Sequence, residues 1–333
     1  MDYSKGMTRS YYAMTVDPET WADLDRIEIV SGSINRTDTD LRQNATITVR
    51  EYDNTLERWI RIYMDAKQGQ EVAHVPLFTG IATSPQNDFQ DGVDTITLQC
   101  YSVLKAAADD PLMAGFYIST TGTGTDHIRE LLELTPAPTV VRQASDRLTD
   151  EIIAEANESR VTLTDKILKV TDRKLQIDGD GTIYVVAPTE EPAAIFSPEY
   201  DVMETNFTKG RDWFSCPNFL RVTSGNLTAV ARDDDPNSEL STVARGRTIG
   251  APEETGVTLE NGESVAQYAK RRLKELQQRT ETLQYTRRFI PGVNIGDTVR
   301  MNYADPQGDY KVTSQTITLD ATGSTSESVQ RTK

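Results

Sequence analysis

The sequence predicts a β-rich α+β protein in which two antiparallel β-barrel domains flank a small α+β insert. Three observations carry this. From residue 21 to 104 the chain reads as short runs of alternating apolar and polar residues separated by turns. Beyond residue 104 the apolar period becomes that of helices, and after Pro198 the alternation returns. The expected units are a first β domain over 1–104, an α+β insert over 105–198, and a second β domain over 199–333 with a long helix near 264–283.

In the first region the runs are "RIEIVSGSINRT", "NATITVREYD", "RWIRIYMDA", "VPLFTGIATSP" and "DTITLQCYSVL". Ile47 and Val49 alternate with Thr46, Thr48 and Arg50, the pattern of a strand with one wet face. Five or more strands at this spacing suit an antiparallel barrel better than repeated βαβ units. In the insert, "GTGTDHIRELLEL" sets Ile128, Leu131, Leu132 and Leu134 behind Thr125 and Asp126, which are the expected caps. "SRVTLTDKILKVTDRK" gives a second helix with Leu163, Ile167, Leu168 and Val170 on its apolar face.

Between Leu175 and Ile183 the chain reads Asp-Gly-Asp-Gly. A helix-flanked calcium loop starting at Asp178 would need an oxygen ligand at its fifth position, glycine at its sixth and glutamate at its twelfth, where this chain has Thr182, Ile183 and Thr189. The segment is therefore read as a hairpin turn. In the last region "FLRVTSGNLTAVARDDD" predicts a hairpin with an acidic loop. "NGESVAQYAKRRLKELQQRTETL" predicts the strongest helix, with Val265, Tyr268, Ala269, Leu273, Leu276 and Leu283 on one stripe. Ser264 and Gln267 form its capping box. Strands return in "LQYTRRFIP", "DTVRMNY", "DYKVTSQTITL" and the polar tail "TGSTSESVQRTK".

No apolar stretch approaches the roughly 20 residues of a spanning helix, so no membrane insertion is expected. The N-terminus lacks a signal-peptide apolar segment, which predicts synthesis in the cytoplasm. Cys100 and Cys216 form no CxxC pair and are expected to be reduced and half-buried. With 35 basic against 51 acidic residues, a net charge of −16, stable nucleic-acid binding is not expected.

Enzymatic signals are thin. His74 and His127 fit no metal spacing, no GxSxG elbow occurs, and "TTGTGTDH" lacks both the third glycine of a dinucleotide fingerprint and a P-loop ending. No catalytic, cofactor or metal residue is assigned. The abundance of acids leaves a carboxylate-dependent cell-wall or polysaccharide hydrolase as one alternative, and a glycan-binding tip module as another. The remaining charge signal is the basic run Lys270, Arg271, Arg272, Lys274 and Arg279. It reads either as a solvated helix face balanced by Glu275 and Glu281 or as a contact with an acidic neighbouring subunit.

Several stretches together resemble a family. Phe78, Thr79 and Gly80 followed by Tyr101 and Ser102, then Asp180 and Gly181 at the hairpin turn, then Pro291, Gly296, Asp297 and Val299, stand in the order seen in the central hub proteins of phage tail baseplates, which are related to the hub part of type VI secretion spikes. The resemblance implies tube-type barrels and a homotrimer whose six quasi-equivalent units join a sixfold tail tube to a threefold tip. It implies partners in the tail tube or distal tail ring and in a tip, spike or fibre protein. It places the chain in the virion tail, assembled in the host cytoplasm, around a central channel through which DNA or another cargo passes. Acids are then expected on the channel wall, because a basic lining would bind the polyanion. Larger hubs continue into peptidase, lysozyme or needle domains. This sequence stops at Lys333, so wall cutting is expected of another protein.

Overall fold

Alternation over the first third of the chain becomes six strands: β1 (Thr8–Val16), β2 (Asp23–Thr37), β3 (Gln43–Val49), β4 (Arg58–Gln68), β5 (Glu71–Gln90) and β6 (Val93–Ser102). The computed structural model describes residues 1–332 apart from 4, 39, 40, 54, 91, 92, 190, 200–202, 215, 258, 260–262, 279 and 280. In β3, Ala45, Ile47 and Val49 are buried while Asn44, Thr46 and Thr48 turn to the other face. Their partners on β6 continue the core, with Ala45 opposite Cys100 and Ile47 opposite Leu98. Ile34, Ile60, Ile62, Met64, Leu77 and Phe78 complete it.

The middle third carries α1 (Lys105–Ala108), β7 (Tyr117–Ile118), α2 (Gly124–Leu132), β8 (Thr139–Val141), β9 (Ile152–Ile153), α3 (Arg160–Val170), β10 (Lys174–Ile177) and β11 (Ile183–Val186). An α+β insert is thus present. Its α2 cap is Thr123 rather than Thr125: the Asp126 amide donates to the Thr123 hydroxyl at 3.2 Å, and the Thr123 amide donates to the Asp126 carboxylate at 3.2 Å. Thr125 is buried inside the first turn and exchanges hydrogen bonds with Ser145. Leu134 and Val170 do not join the apolar faces expected of them. Leu134 lies beyond the end of α2, Val170 is the last residue of α3, and both are exposed.

The final third holds β12 (Ala194–Phe196), β13 (Met203–Arg211), β14 (Phe219–Ser224), β15 (Leu227–Arg232), α4 (Thr242–Arg245), β16 (Glu254–Thr255), α5 (Val265–Gln278), β17 (Glu281–Arg288), β18 (Thr298–Asn302), β19 (Gln307–Thr318) and β20 (Ser324–Arg331). The capping box of α5 forms as expected, with the Ser264 amide donating to Gln267 Oε1 at 2.9 Å and the Gln267 amide to Ser264 Oγ at 3.3 Å. Val265, Ala269 and Leu273 pack on Leu220, Val222 and Ala231 of the β14–β15 hairpin. Leu283 is not on this stripe. The helix stops at Gln278, and Leu283 lies in β17, buried with Val299, Tyr310 and Val312.

The expected pair of antiparallel barrels is corrected by the sheet. Twelve strands form one sheet in the order β1-β4-β5-β6-β3-β2-β19-β20-β17-β13, with β18 paired to β19 and β12 to β18. β1 also pairs with β2, but only over Asp23–Glu28 of that strand. Further along, Ser33–Thr37 pairs instead with Ser314–Thr318 of β19, and the Gly32 carbonyl accepts from the Leu319 amide at 2.9 Å. Phe289, Ile317 and Leu319 therefore sit in the core of the first six strands. The path ends on β13 without a further partner strand among the described residues, and the β12–β18 pair is parallel. The cause is strand length. With 15 residues against 9 in β1, β2 leaves an uncovered edge, and exposed backbone donors and acceptors recruit another strand. Alternation reports which face is buried, not which strand lies alongside.

Candidate functional site

Two turns that are remote in sequence meet where the insert seats on the first six strands. The Asp178–Gly181 turn is closed by the Asp178 amide donating to Thr182 O at 3.0 Å and the Gly181 amide to Asp178 O at 2.9 Å, with Gly181 at φ 86°. Its outward carbonyls are taken by the first β region: Thr79 Oγ1 donates to Gly179 O at 2.8 Å and Trp21 Nε1 to Asp180 O at 3.0 Å. A β-carbon on Gly179 would stand 1.9 Å from the Pro76 carbonyl oxygen, so only glycine permits this approach. The Asp180 carboxylate accepts from the Thr182 amide at 2.9 Å. This is a docking turn, and its acid serves its own backbone.

The second turn precedes β18. Lys174 Nζ donates to Gly296 O at 3.1 Å and to Asp297 Oδ1 at 2.9 Å, and Gln176 Nε2 donates to the same carboxylate oxygen at 2.8 Å. Asp297 thereby clamps β10 to the loop ahead of β18. Behind the clamp, Arg36 is buried and donates to Leu77 O at 2.6 Å, its guanidinium pulled down to about 10 by burial. Burial, with the nearby Asp180 charge, pushes the Asp178 carboxyl up. Thr79, Asp180, Gly181, Gly296 and Asp297, picked out in the sequence as separate motifs, are parts of one junction.

The basic helix divides into two kinds of residue. Arg271 makes a two-pronged ion pair with Glu263, both contacts at 2.9 Å, and reaches Glu275 at 3.0 Å. Arg272 pairs with Glu254 at 2.9 Å and Glu275 at 3.1 Å. Lys270 and Lys274 are exposed and make no ion pair among the described residues. Arg279 lies outside the described residues. Glu281 does not balance the helix. It accepts from the Tyr310 hydroxyl at 2.7 Å and pairs with Arg331 at 3.3 Å and Lys209 at 3.5 Å.

No group of three or more His, Cys, Asp or Glu side chains among the described residues is placed to hold a metal ion. His74 faces Asp65 at 2.7 Å and His127 faces Glu130 at 3.4 Å. Cys100 and Cys216 form no disulfide among the described residues and are buried more deeply than expected. Among the described residues no helix is long and apolar enough to cross a membrane.

Sequence reasoning missed a surface that needs the pairing to be seen. Thr286, Ser326, Thr316, Asn35 and Asn44 stand opposite one another in turn across β17, β20, β19, β2 and β3. Parallel to them run Thr208, Gln284, Ser328, Ser314 and Thr37 on one side and Thr318, Ser33, Thr46 and Gln99 on the other. Cross-strand bonds link them, among them Thr316 Oγ1 to Asn35 Oδ1 at 2.9 Å and Thr46 Oγ1 to Gln99 Oε1 at 3.0 Å. A hollow of about 400 Å³ opens on part of this face, with Glu204 and Glu327 also in its lining. These three rows hold no charged side chain, in a chain that is 26% charged.

No protein-family model matches the chain, and no curated protein matches it in sequence. Solved structures do match it in shape. The 43 kDa tail protein of prophage MuSo2 from Shewanella oneidensis superposes with a TM-score of 0.66 at 14% identity, over 97% of this chain and 98% of that one. The tail protein from Neisseria meningitidis MC58 gives 0.67 at 13% identity, over 97% and 96%. The fold is that of phage tail proteins. A chain of the Francisella PdpA–VgrG complex shares this tail-protein fold as well, at a TM-score of 0.56 and 9% identity, with 98% of this chain covering 58% of that one.

Proposed function

We propose that the chain is a structural, non-catalytic component of a phage tail, acting as the trimeric hub at the distal end of the tail or of a related contractile injection particle. The observation that carries this is the end-to-end likeness to two tail proteins, with nearly all of each chain covered in both directions. In this reading the trimer joins the tail tube or distal ring to a tip, spike or fibre protein, and resides in the virion. The uncharged hydroxyl and amide face supports a channel role. A wall without cations displaces no counterions from a passing polyanion, so it gives DNA nothing to bind. Glu204 and the buried Glu327, which also line the hollow, add acids and no cation to it.

Cryo-electron microscopy of the parent particle tests the reading directly: three copies at the tail tip, with Thr316 and Thr46 facing the lumen, are expected. Light scattering of the purified protein should approach three times 37.1 kDa as concentration rises, since association is driven by mass action. A chain that stays monomeric at every concentration and is missing from the tail tip would remove the proposal.

A further inference from the structure

Beyond the irregularity between Thr83 and Gln86, β5 and β6 leave the sheet together. The β4 ladder stops at Ala82 and the β3 ladder at Ile96, so Asp88–Gln90 and Val93–Thr95 pair only with each other. A two-stranded arm of this kind has little stability of its own in water. It nevertheless carries Phe89 with 79% of its surface exposed, directly opposite Asp94 and so on the same face. Asp88 lies on the arm's opposite face and accepts from Thr97 Oγ1 at 3.3 Å, and no lysine or arginine occurs between Lys67 and Lys105. The arm is an exposed aromatic anchor in a stretch whose formal charges are all acidic.

A complementary surface exists on α5. Lys270 and Lys274 lie one helical turn apart, about 5–6 Å at their β-carbons, exposed and without ion pairs among the described residues. The arginines between them are held by Glu263, Glu254 and Glu275 of the same subunit. Other exposed cations, Lys67 and Lys169 among them, also make no ion pair among the described residues, but Lys270 and Lys274 stand together on one helix face. We propose that the Phe89 arm of one copy docks on α5 of a second copy, with Asp94 meeting Lys270 and Lys274 and the ring lying against their ammonium groups. Arm and helix are different surfaces, so the contact runs head to tail, the type that closes into a ring. It rests on the oligomeric reading above and names the residues that make it.

The test compares self-association of wild type, Asp94→Lys, Lys270→Glu/Lys274→Glu and the combined threefold variant by sedimentation velocity, with far-UV circular dichroism confirming that each is folded. Each reversal is expected to weaken association about tenfold, the sum of two exposed charge pairs, and the combined variant to recover most of the loss. Phe89→Ser, which leaves the charges in place, is expected to weaken it as well. Wild type that associates while all variants match it overturns the contact alone. Wild type that never associates and is missing from the tail tip removes the contact and the oligomeric reading together.

Discussion

Arg287 and Glu327 form a two-pronged ion pair between β17 and β20, Nε to Oε2 at 2.9 Å and Nη2 to Oε1 at 2.5 Å, with 1% and 0% of their side chains exposed. Gln315 Nε2 donates to the same Oε1 at 2.5 Å, and Arg287 Nη1 donates to Arg288 O at 2.9 Å. A buried pair resists removal of one member more than removal of both, because a lone charge is stranded away from water. Glu327→Leu should therefore cost about 3–5 kcal/mol. Arg287→Met/Glu327→Leu should cost clearly less. Urea unfolding of both variants checks the order, and a double variant as damaged as the single one would contradict it.

Gly179 and Gly225 predict opposite sensitivities at two hairpin turns. Gly225 closes the β14–β15 hairpin at φ 58°, and nothing lies within 4 Å of the place a methyl group would take, so Gly225→Ala should cost only the left-handed backbone penalty of about 1–2 kcal/mol. Gly179→Ala drives a methyl into the Pro76 backbone and should cost more, because the strand under it must move. Thermal melts of the two variants measured together decide the matter.

Glu281 gives the chain an acid-sensitive clamp. Burial alone would raise its carboxyl, but the Tyr310 hydroxyl and the Arg331 and Lys209 charges outweigh it and hold the group below its ordinary value of 4.5. A depressed carboxylate stabilises the fold above that ordinary value, and the contribution is lost as pH falls through the lower folded value. Glu281→Gln should therefore lower stability at pH 7 and flatten the decline below about pH 4.5. Denaturant midpoints across pH 3–7 would show a steep wild-type decline and a shallower variant one.

On α5 the arginines and lysines should separate by phenotype. Arg272→Glu breaks a half-buried link to Glu254 and Glu275, and is expected to lower subunit stability by about 1 kcal/mol. Lys274→Glu should leave the melting temperature within a degree or two of wild type. Equal losses from both substitutions would show that the helix face is uniform after all.

Calcium should have no effect on the Asp-Gly-Asp-Gly turn. Millimolar calcium and a chelator are expected to give the same melting temperature, since the Asp180 carboxylate is occupied by the Thr182 amide and the turn carbonyls by Thr79 and Trp21. A calcium-dependent rise would reopen the metal reading.

Local features were legible in the sequence because their causes are local. The Ser264–Gln267 box, the Asp178–Gly181 turn and the alternation in β3 each follow from residues within a few positions of one another. The edges of elements were harder. Leu134, Val170 and Leu283 are apolar at helical spacing, yet the helices end before or at them, and spacing carries no signal for where a helix stops. What the sequence hid was pairing. Nothing in Ser33–Thr37 or Ser314–Thr318 marks them as partners, and without that pairing neither the single sheet nor the neutral rows across it can be drawn. The charge-free surface was hidden for the same reason, since its residues are scattered as single serines, threonines and amides over strands far apart in the chain.

The joining of β2 to β19 also sets a schedule for biosynthesis. Phe289, Ile317 and Leu319 complete the core around Ile34 and Ile47, so a ribosome has to translate most of the chain before the first strands are sealed. Until then the edge of β2 over Ser33–Thr37 is open, and the nascent chain carries an unsatisfied strand through most of its synthesis. Contacts spanning this much sequence slow folding, because the loop must close before the ladder repays its entropy. Chaperone dependence in the cell, and aggregation of fragments that end before residue 314, are the natural costs of fastening the beginning of a chain with its end.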